Sequence, residues 1–263
     1  MIDNERNRQM IMFAQERQTK VVELLRTRSS VSVPELGRLL RASPATVRRD
    51  LDFLEQAGKI RRTHGGVLPL EPGELPYSRK SRRELGAKKA IAELAAGLVR
   101  DGDTVFVDAG TTAFKVGLQL VARPRVTIVT NSLPLLGETR AAGARVIALG
   151  GEVRAVSLAL VGSEAMEWMK RLRLDLAFIG ASGIDSANGP CTTELGESAV
   201  KLAAVRRARR AILVADASKW ERQAPILFAG WDQFDDLITD HSPTTAEAAA
   251  LSHHRVRLHS VAI

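Results

Sequence analysis

From about residue 90 onward, six short aliphatic runs recur between stretches of helical period: Thr104–Val107, Val126–Val129, Val146–Leu149, Leu174–Ile179, Ala211–Ala215 and Leu237–Ile238. A strand that is apolar on both faces must be covered on both, and parallel strands joined by crossover helices are covered in that way. The runs therefore predict an α/β fold, a doubly wound and mainly parallel sheet. Sheets of this kind bind ligands beyond the carboxyl ends of their strands. Small or polar residues gather at five of those ends: Asp108 to Thr112, Thr130 to Ser132, Gly150-Gly151, Gly180 to Gly183 and Asp216 to Lys219.

The first of these ends runs directly into the helix-like AFKVGLQL. The backbone N–H groups of Ala109 to Thr112, with the Thr111 and Thr112 hydroxyls, would face whatever sits at that helix N-terminus, and a phosphate fits such a place. Lys219, just after another strand end, would supply a cation. Taken alone, the Gly-Thr-Thr motif fits a tight turn with a threonine cap equally well; the second and fourth loops favour a phosphorylated small molecule. Glu197 and Lys201 stand at i, i+4 on one helix face, with Glu194 before them. Their default reading is a solvated ion pair. Facing the cleft instead, they would contact ligand hydroxyls or, with Asp108 and Asp216, perform acid/base chemistry. The five histidines lack metal-ligand spacing, and HExxH, GxxxxGK[ST] and GxGxxG are all absent, so neither metal nor cofactor is expected. Trp168, Trp220 and Trp231 are expected in the core or at an interface.

The first third has a different character. VSVPELGRLLRASPATVRRDLDFLEQAGKIRRTHGG, Val31 to Gly66, predicts two short helices, a tight turn and a basic β-wing. Ser32 stands three residues before Glu35 as a capping box, Ser43 precedes Pro44 as N-cap and first-turn residue, and Gly58 closes the second helix. Val47, Leu51 and Leu54 at i, i+4 and i+7 turn Ala45, Thr46, Arg48 and Arg49 to solvent near the helix start, where a recognition helix meets base edges. Val21, Val22, Leu24 and Leu25 supply the inner face of a preceding helix, and Leu36, Leu39 and Leu40 that of the first helix of the pair. The wing carries Arg61, Arg62, Thr63 and His64 beside a glycine turn, as a phosphate-tracking hairpin needs. With Ser43, these residues form the candidate contact set for double-stranded DNA. A merely solubilising charge run would not coincide with a turn, two caps and a wing in this order.

The charge distribution agrees. Lysines and arginines outnumber acids 13 to 8 over residues 1–70 and 6 to 3 over 71–89, but only equal them, 19 to 19, over 90–263. The basic excess, net +8 for the chain, is N-terminal, so DNA binding should be strongly salt-dependent. Aromatic residues make up 4% of the chain, too few for single-strand stacking platforms. No apolar run approaches the ~18 residues of a membrane span, and the opening segment is interrupted by charge, unlike a secretory signal. Cys191 is the lone cysteine, which excludes an intramolecular disulfide or a thiolate zinc cluster and suits the cytoplasm. Pro69, Pro72, Gly73 and Pro76 mark a joint, and Ser78 to Lys89 the start of an amphipathic helix burying Ile91, Leu94, Ala95 and Leu98. The expected organisation is an N-terminal extension (1–16), a winged helix-turn-helix domain (17–68), a linker (69–78) and an α/β effector-sensing domain (79–263).

These motifs in this order resemble one known family. The stretch from Val31 to Gly66 looks like the winged helix-turn-helix signature of DeoR-type transcriptional regulators, and DGDTVFVDAGTT, VTNSLP, LGGEVR, AFIGASGID and ADASK resemble that family's sensor domain. The resemblance spans about Arg17 to Asp240. It implies a bacterial repressor or activator of carbohydrate or nucleoside catabolic genes, released from operator DNA by a phosphorylated sugar or related metabolite, and a homodimer or homotetramer. It further implies a sensor related in fold to ribose phosphate isomerases and glucosamine phosphate deaminases, with ligand contacts at Asp108, Gly110, Thr111, Thr112, Asn131, Ser132, Gly150, Gly151 and Lys219. The alternative is a sugar-phosphate isomerase or deaminase with an appended DNA-binding domain. Against catalysis, the family's EAEVK-like stretch here reads Glu197-Ser198-Ala199-Val200-Lys201, so its second acid is missing.

Overall fold

The computed structural model describes residues 14–27, 31–56, 60–63, 66–69, 74–139, 143–220 and 224–263, and the chain divides into two compact units, 1–75 and 76–263. The first unit holds α1 (Ala14–Thr27), α2 (Val33–Leu40) and α3 (Pro44–Gln56), followed by β1 (Ile60–Thr63) and β2 (Gly66–Pro69), which pair antiparallel. The helix starts are set by side chains: Ser32 Oγ accepts from Glu35 N at 3.3 Å and Ser43 Oγ from Thr46 N at 3.2 Å. A three-residue turn separates α2 from α3, and Arg41 opens it in the left-handed region at φ 49°. Val21, Leu25, Leu36, Leu40, Val47, Leu51, Leu54, Ile60 and Val67 close into one core. Each contributes about 2 kcal/mol by leaving water.

Leu39 was expected on that inner face but is 42% exposed. Leu36 and Leu40 share one helical stripe, and Leu39 lies beyond its edge. Asp50 departs from the pattern in the opposite sense. It is buried within α3, where Arg17 Nε (2.8 Å) and Gln18 Nε2 (3.2 Å) of α1 satisfy it, as a buried charge requires. Val31 and Val67 exchange backbone hydrogen bonds of 3.0 and 2.8 Å, binding the wing to the start of α2. A Cβ at Gly66 would stand 2.7 Å from Val31 O, so only glycine permits this approach.

The second unit runs α4 (Tyr77–Lys80), α5 (Leu85–Gly97), β3 (Thr104–Val107), α6 (Thr111–Leu120), β4 (Thr127–Thr130), α7 (Leu133–Gly137), β5 (Arg145–Ala148), β6 (Glu152–Arg154), β7 (Ala159–Val161), α8 (Ser163–Arg171) and β8 (Leu174–Ile179). It continues through β9 (Gly183–Asp185), β10 (Gly189–Thr192), α9 (Leu195–Arg207), β11 (Ala208–Val214), β12 (Ile226–Leu227), β13 (Asp236–Thr239), α10 (Thr245–His253) and β14 (Arg257–Ser260). Seven strands form a wholly parallel sheet in the order β14-β13-β11-β8-β3-β4-β5. The chain enters at β3, winds outward through β4 and β5, then returns to β8 and winds out the other way. The winding direction therefore reverses between β3 and β8.

Side chains alternate across the sheet as the strand period demands. Val105, Val107, Ile128, Leu176, Phe178, Ile212 and Val214 pack on one face with Ile91 and Ala95 of α5 and Val116 and Leu120 of α6. Phe106, Val129, Ala177, Ile179 and Leu213 pack on the other with Met169 of α8, Val200 and Ala204 of α9 and Leu251 of α10. All six aliphatic runs are strands of this sheet, within three residues at every end. β14, the hairpin β6–β7 and the small antiparallel sheet β12-β10-β9 were not anticipated. Their strands are short, and β14 (Arg-Leu-His-Ser) is a polar edge strand without the apolar run that marks a covered one.

Two further differences concern the joint. Pro69 lies in β2 and Tyr77 and Ser78 in α4, so regular structure enters the expected linker from both ends; residues 70–73 lie outside the described set. The single helix start expected over Ser78 to Lys89 is two elements. Lys88 in α5 is 2% exposed, and its ammonium donates to Lys80 O (2.7 Å) and Arg83 O, tying the end of α4 to α5. Burial lowers the Lys88 pKa, opposed by the Asp216 and Glu84 charges. At the sheet's β13 edge, the fully buried Asp236 binds Arg210 Nε (2.6 Å), Arg257 Nε (3.1 Å) and His259 Nε2 (2.7 Å). Burial pushes its carboxyl up, and the hydrogen bonds from Arg210 and His259 overcome this, holding it at about 2.

Candidate functional site

The reversal of winding opens a crevice at the carboxyl ends of β3 and β8. Asp108 leaves β3 and Gly180 leaves β8, and Asp108 Oδ2 accepts from Gly180 N at 3.0 Å. Lys201, on the inner face of α9, ion-pairs with the same carboxylate and donates to Gly180 O at 3.0 Å. Asp108 and Lys201 are 1% and 5% exposed, so their pairing replaces water at the crevice floor. Ala109, Gly110, Thr111 and Thr112 cross above them into α6, with Gly110 as N-cap. The first N–H groups of α6 have no partner within the helix and point outward from its N-terminus.

Around this floor lies a pocket of about 490 Å³ counted to its open mouth, lined by Asp108 to Thr112, Gly180 to Ser182, Glu197 and Lys201, with Lys80, Ser157 and Lys219. That is ample for a phosphorylated sugar. Three lysines stand against two carboxylates in the lining, so it favours an anion. Glu197 is buried at 8% exposure and faces the pocket, which overturns the solvated ion pair expected on α9. Nor does Lys201 take Glu197 as its bonded partner: Glu197 Oε1 accepts from Arg154 Nη1 at 3.0 Å, and Oε2 from Thr192 Oγ1 at 3.4 Å. Burial pushes the Glu197 carboxyl up, but Lys201, a Ser157 hydrogen bond, Lys80 and Arg154 together hold it below the usual carboxylate range. Glu194 is the N-cap of α9, accepting from Gly196 N and Glu197 N, both at 2.8 Å.

The structure thus gathers Asp108, Gly110, Thr111, Thr112, Glu197, Lys201 and Lys219 and leaves Asn131, Ser132, Gly150 and Gly151 outside the lining. Asn131 Nδ2 donates to Leu160 O at 3.4 Å and Ser132 Oγ caps α7 through Leu135 N, so both support the β6–β7 hairpin and α7. Gly151 has φ 120°, and a Cβ there would stand 2.2 Å from Val161 O; Gly150 lies under the Trp168 ring. Both glycines have a backbone or packing reason. Lys80, Arg154 and Ser157 were missed at the sequence level. They come from α4 and the β6–β7 hairpin, which carry no strand-end signature.

In the first unit, Ser43, Ala45, Arg48 and Arg49 are exposed and Thr46 is half-buried at the start of α3. Ser43 and Thr46 share a 2.9 Å hydroxyl hydrogen bond, so both are engaged in capping. Arg61, Arg62 and Thr63 lie in β1, where the Arg62 side chain pairs with Asp52 and its N–H donates to Glu55 Oε1 at 2.9 Å. Gly58 and His64 lie outside the described residues. An exposed helix start with two arginines, beside a basic hairpin, is the form of a duplex-reading module.

A DNA-reading three-helix unit with a wing, joined to a parallel α/β unit whose switch-point pocket is cationic, defines a ligand-responsive transcriptional regulator. Residues 17–72 match the DeoR-like helix-turn-helix domain and residues 83–241 the DeoR C-terminal sensor domain. The chain is 37% identical to the HTH-type transcriptional regulator GlpR of Haloferax volcanii over 87% of its own length and 91% of the relative's. It is 31% identical to the glycerol-3-phosphate regulon repressor of Escherichia coli over 92% and 97%. The chain belongs to the DeoR family of DNA-binding transcriptional regulators, and it is not an enzyme. A likeness to ribose 5-phosphate isomerase A of Methanocaldococcus jannaschii (TM-score 0.37, 18% identity, 51% of this chain and 53% of that one) is too slight to bear on function. Among the described residues no helix is long and apolar enough to cross a membrane.

Proposed function

We infer that this regulator represses genes for the use of a phosphorylated sugar or polyol and that the same class of compound, bound in the switch-point pocket, releases it from its operator. The observation that carries the reading is the convergence of the α6 N-terminus with Lys80, Lys201 and Lys219 on one open pocket. A phosphate there meets unpaired backbone N–H groups and ammonium charge together. Glu197, held as a carboxylate, and Ser157 would accept and donate to the hydroxyls of the carbon skeleton. The glycerol-phosphate regulon repressor among its relatives makes a three-carbon polyol phosphate one member of the class to test.

On the DNA side, Arg48 and Arg49 at the start of α3 reach into the major groove, while Ala45, Thr46 and Ser43 pack near base edges and backbone, and Arg61, Arg62, Thr63 and His64 follow the phosphates. The protein acts in the cytoplasm as a homodimer or homotetramer, since paired helix-turn-helix modules match the two half-sites of a pseudo-palindromic operator. The test is a thermal-shift panel of sugar and polyol phosphates, followed by gel shifts on promoter fragments with each compound that raises the melting temperature. A hit that leaves DNA binding unchanged, or a panel without hits, refutes the effector assignment.

A further inference from the structure

The helix α4 is only four residues long, yet it is held from three sides within the second unit. Tyr77 N donates to Val156 O at 2.8 Å, joining the start of α4 to the β6–β7 loop that also supplies Ser157 to the pocket. The Tyr77 ring meets Phe114 of α6 edge-on, with centroids 6.2 Å apart. Lys88 fixes the far end through Lys80 O and Arg83 O. The side chain of Lys80 then lines the pocket opposite the α6 N-terminus, and its charge bears on Glu197. Immediately before α4, at Pro76, the chain arrives from the DNA-binding unit.

We propose that α4 is the element that couples effector to operator: Lys80 closes on the anionic group of the effector, and the displacement of its backbone is passed along the chain at Leu75-Pro76 to the DNA-binding unit. The proposal rests on the pocket reading above and adds the route by which occupancy is felt. A ligand shifts an equilibrium only through different contacts in its two states. Lys80 provides that difference, because the same ammonium leans on Glu197 in the empty pocket and would turn to a phosphate in the filled one. Tyr77 supplies a reason for a second position. Its hydroxyl is buried without a hydrogen-bond partner, a cost that a shifted α4 would remove. Lys88 acts as the positioning residue, since it transmits any movement of the Lys80 carbonyl into α5.

The experiment uses the full chain with glycerol 3-phosphate, fructose 1-phosphate and inorganic phosphate as probes at millimolar concentration. Coupling is reciprocal, so in the unaltered protein a bound probe should weaken operator binding by at least about fivefold and operator DNA should weaken probe binding by the same factor. Two glycines inserted between Leu75 and Pro76 should leave each affinity, measured alone, unchanged and abolish the mutual effect. Lys80→Met should lower probe affinity about tenfold, the loss of one charge-assisted hydrogen bond, and Lys80→Arg should restore most of it. An insertion variant that keeps the full mutual effect, or a Lys80→Met protein with unchanged probe affinity, overturns the route while the pocket reading stands. Failure of every probe to shift the melting of the unaltered protein overturns both.

Discussion

Lys201 and Asp108, ninety-three residues apart in sequence, form a buried ion pair at the floor of the pocket, and both also bind the backbone of Gly180. The pair fastens α9 to the point where the sheet reverses its winding, so the geometry of the pocket depends on it. Removing one partner leaves the other charge buried and uncompensated. Lys201→Met should therefore destabilise the second unit by about 3 kcal/mol in chemical denaturation. Lys201→Met combined with Asp108→Asn should recover part of the loss; a double variant no more stable than the single one would deny the pair its role.

The hydroxyls of Thr111 and Thr112 open α6 inside the pocket and are expected to hold the effector's phosphate. Replacing both by alanine removes two donors without touching the first unit. Effector-driven release in gel shifts should disappear while operator affinity stays as it was. Normal release by that variant would move the phosphate away from the α6 N-terminus.

Arg48 and Arg49 are exposed near the start of α3, where nothing in the fold of the first unit needs their charge. Replacing both by alanine should weaken operator binding and lower the slope of log affinity against log salt by about 2, roughly one counterion per phosphate contact. The melting shift caused by an effector should be unaffected. An unchanged salt slope would remove α3 from the interface.

Asp236 predicts a dependence on acid. Its carboxyl is held at about 2 in the folded chain against an ordinary 3.8, so the folded state favours the ionised form. The stabilisation, about 2 kcal/mol, is fully present above the unfolded value and is lost as pH falls through the folded one. Denaturation series between pH 5 and 2 should show that loss, and Asp236→Asn should flatten it. An equal slope in the variant would place the acid sensitivity elsewhere.

Much of this architecture was open to reading from residue types alone. Six aliphatic runs announced six strands because a doubly covered strand has no choice but to be apolar along its length. Ser32 and Ser43 announced two helix starts because a hydroxyl before a helix satisfies N–H groups that nothing else nearby can reach. Asp108 to Thr112 announced the pocket because ligands gather where parallel strands end. Lys80 and Ser157 were silent, since neither follows a strand of the large sheet. Asp50 and Lys88 were equally silent, because a charged residue on a helix is usually solvated and its burial depends on partners 32 or 33 and 5 or 8 residues away.

Local chemistry along the chain determined the elements, their caps, the basic character of the first third and the family. Those depend on contacts within a few residues and on periodicity, which order in the chain encodes directly. Only the tertiary structure decided that Glu197 answers to Arg154 rather than to Lys201, that Asn131 and Gly151 support the pocket's surroundings instead of its lining, and that α4 forms one of its walls. Electrostatic pairing falls off over a few ångströms, and which charges come that close is settled by how the sheet winds, a property of the whole unit and of no segment within it.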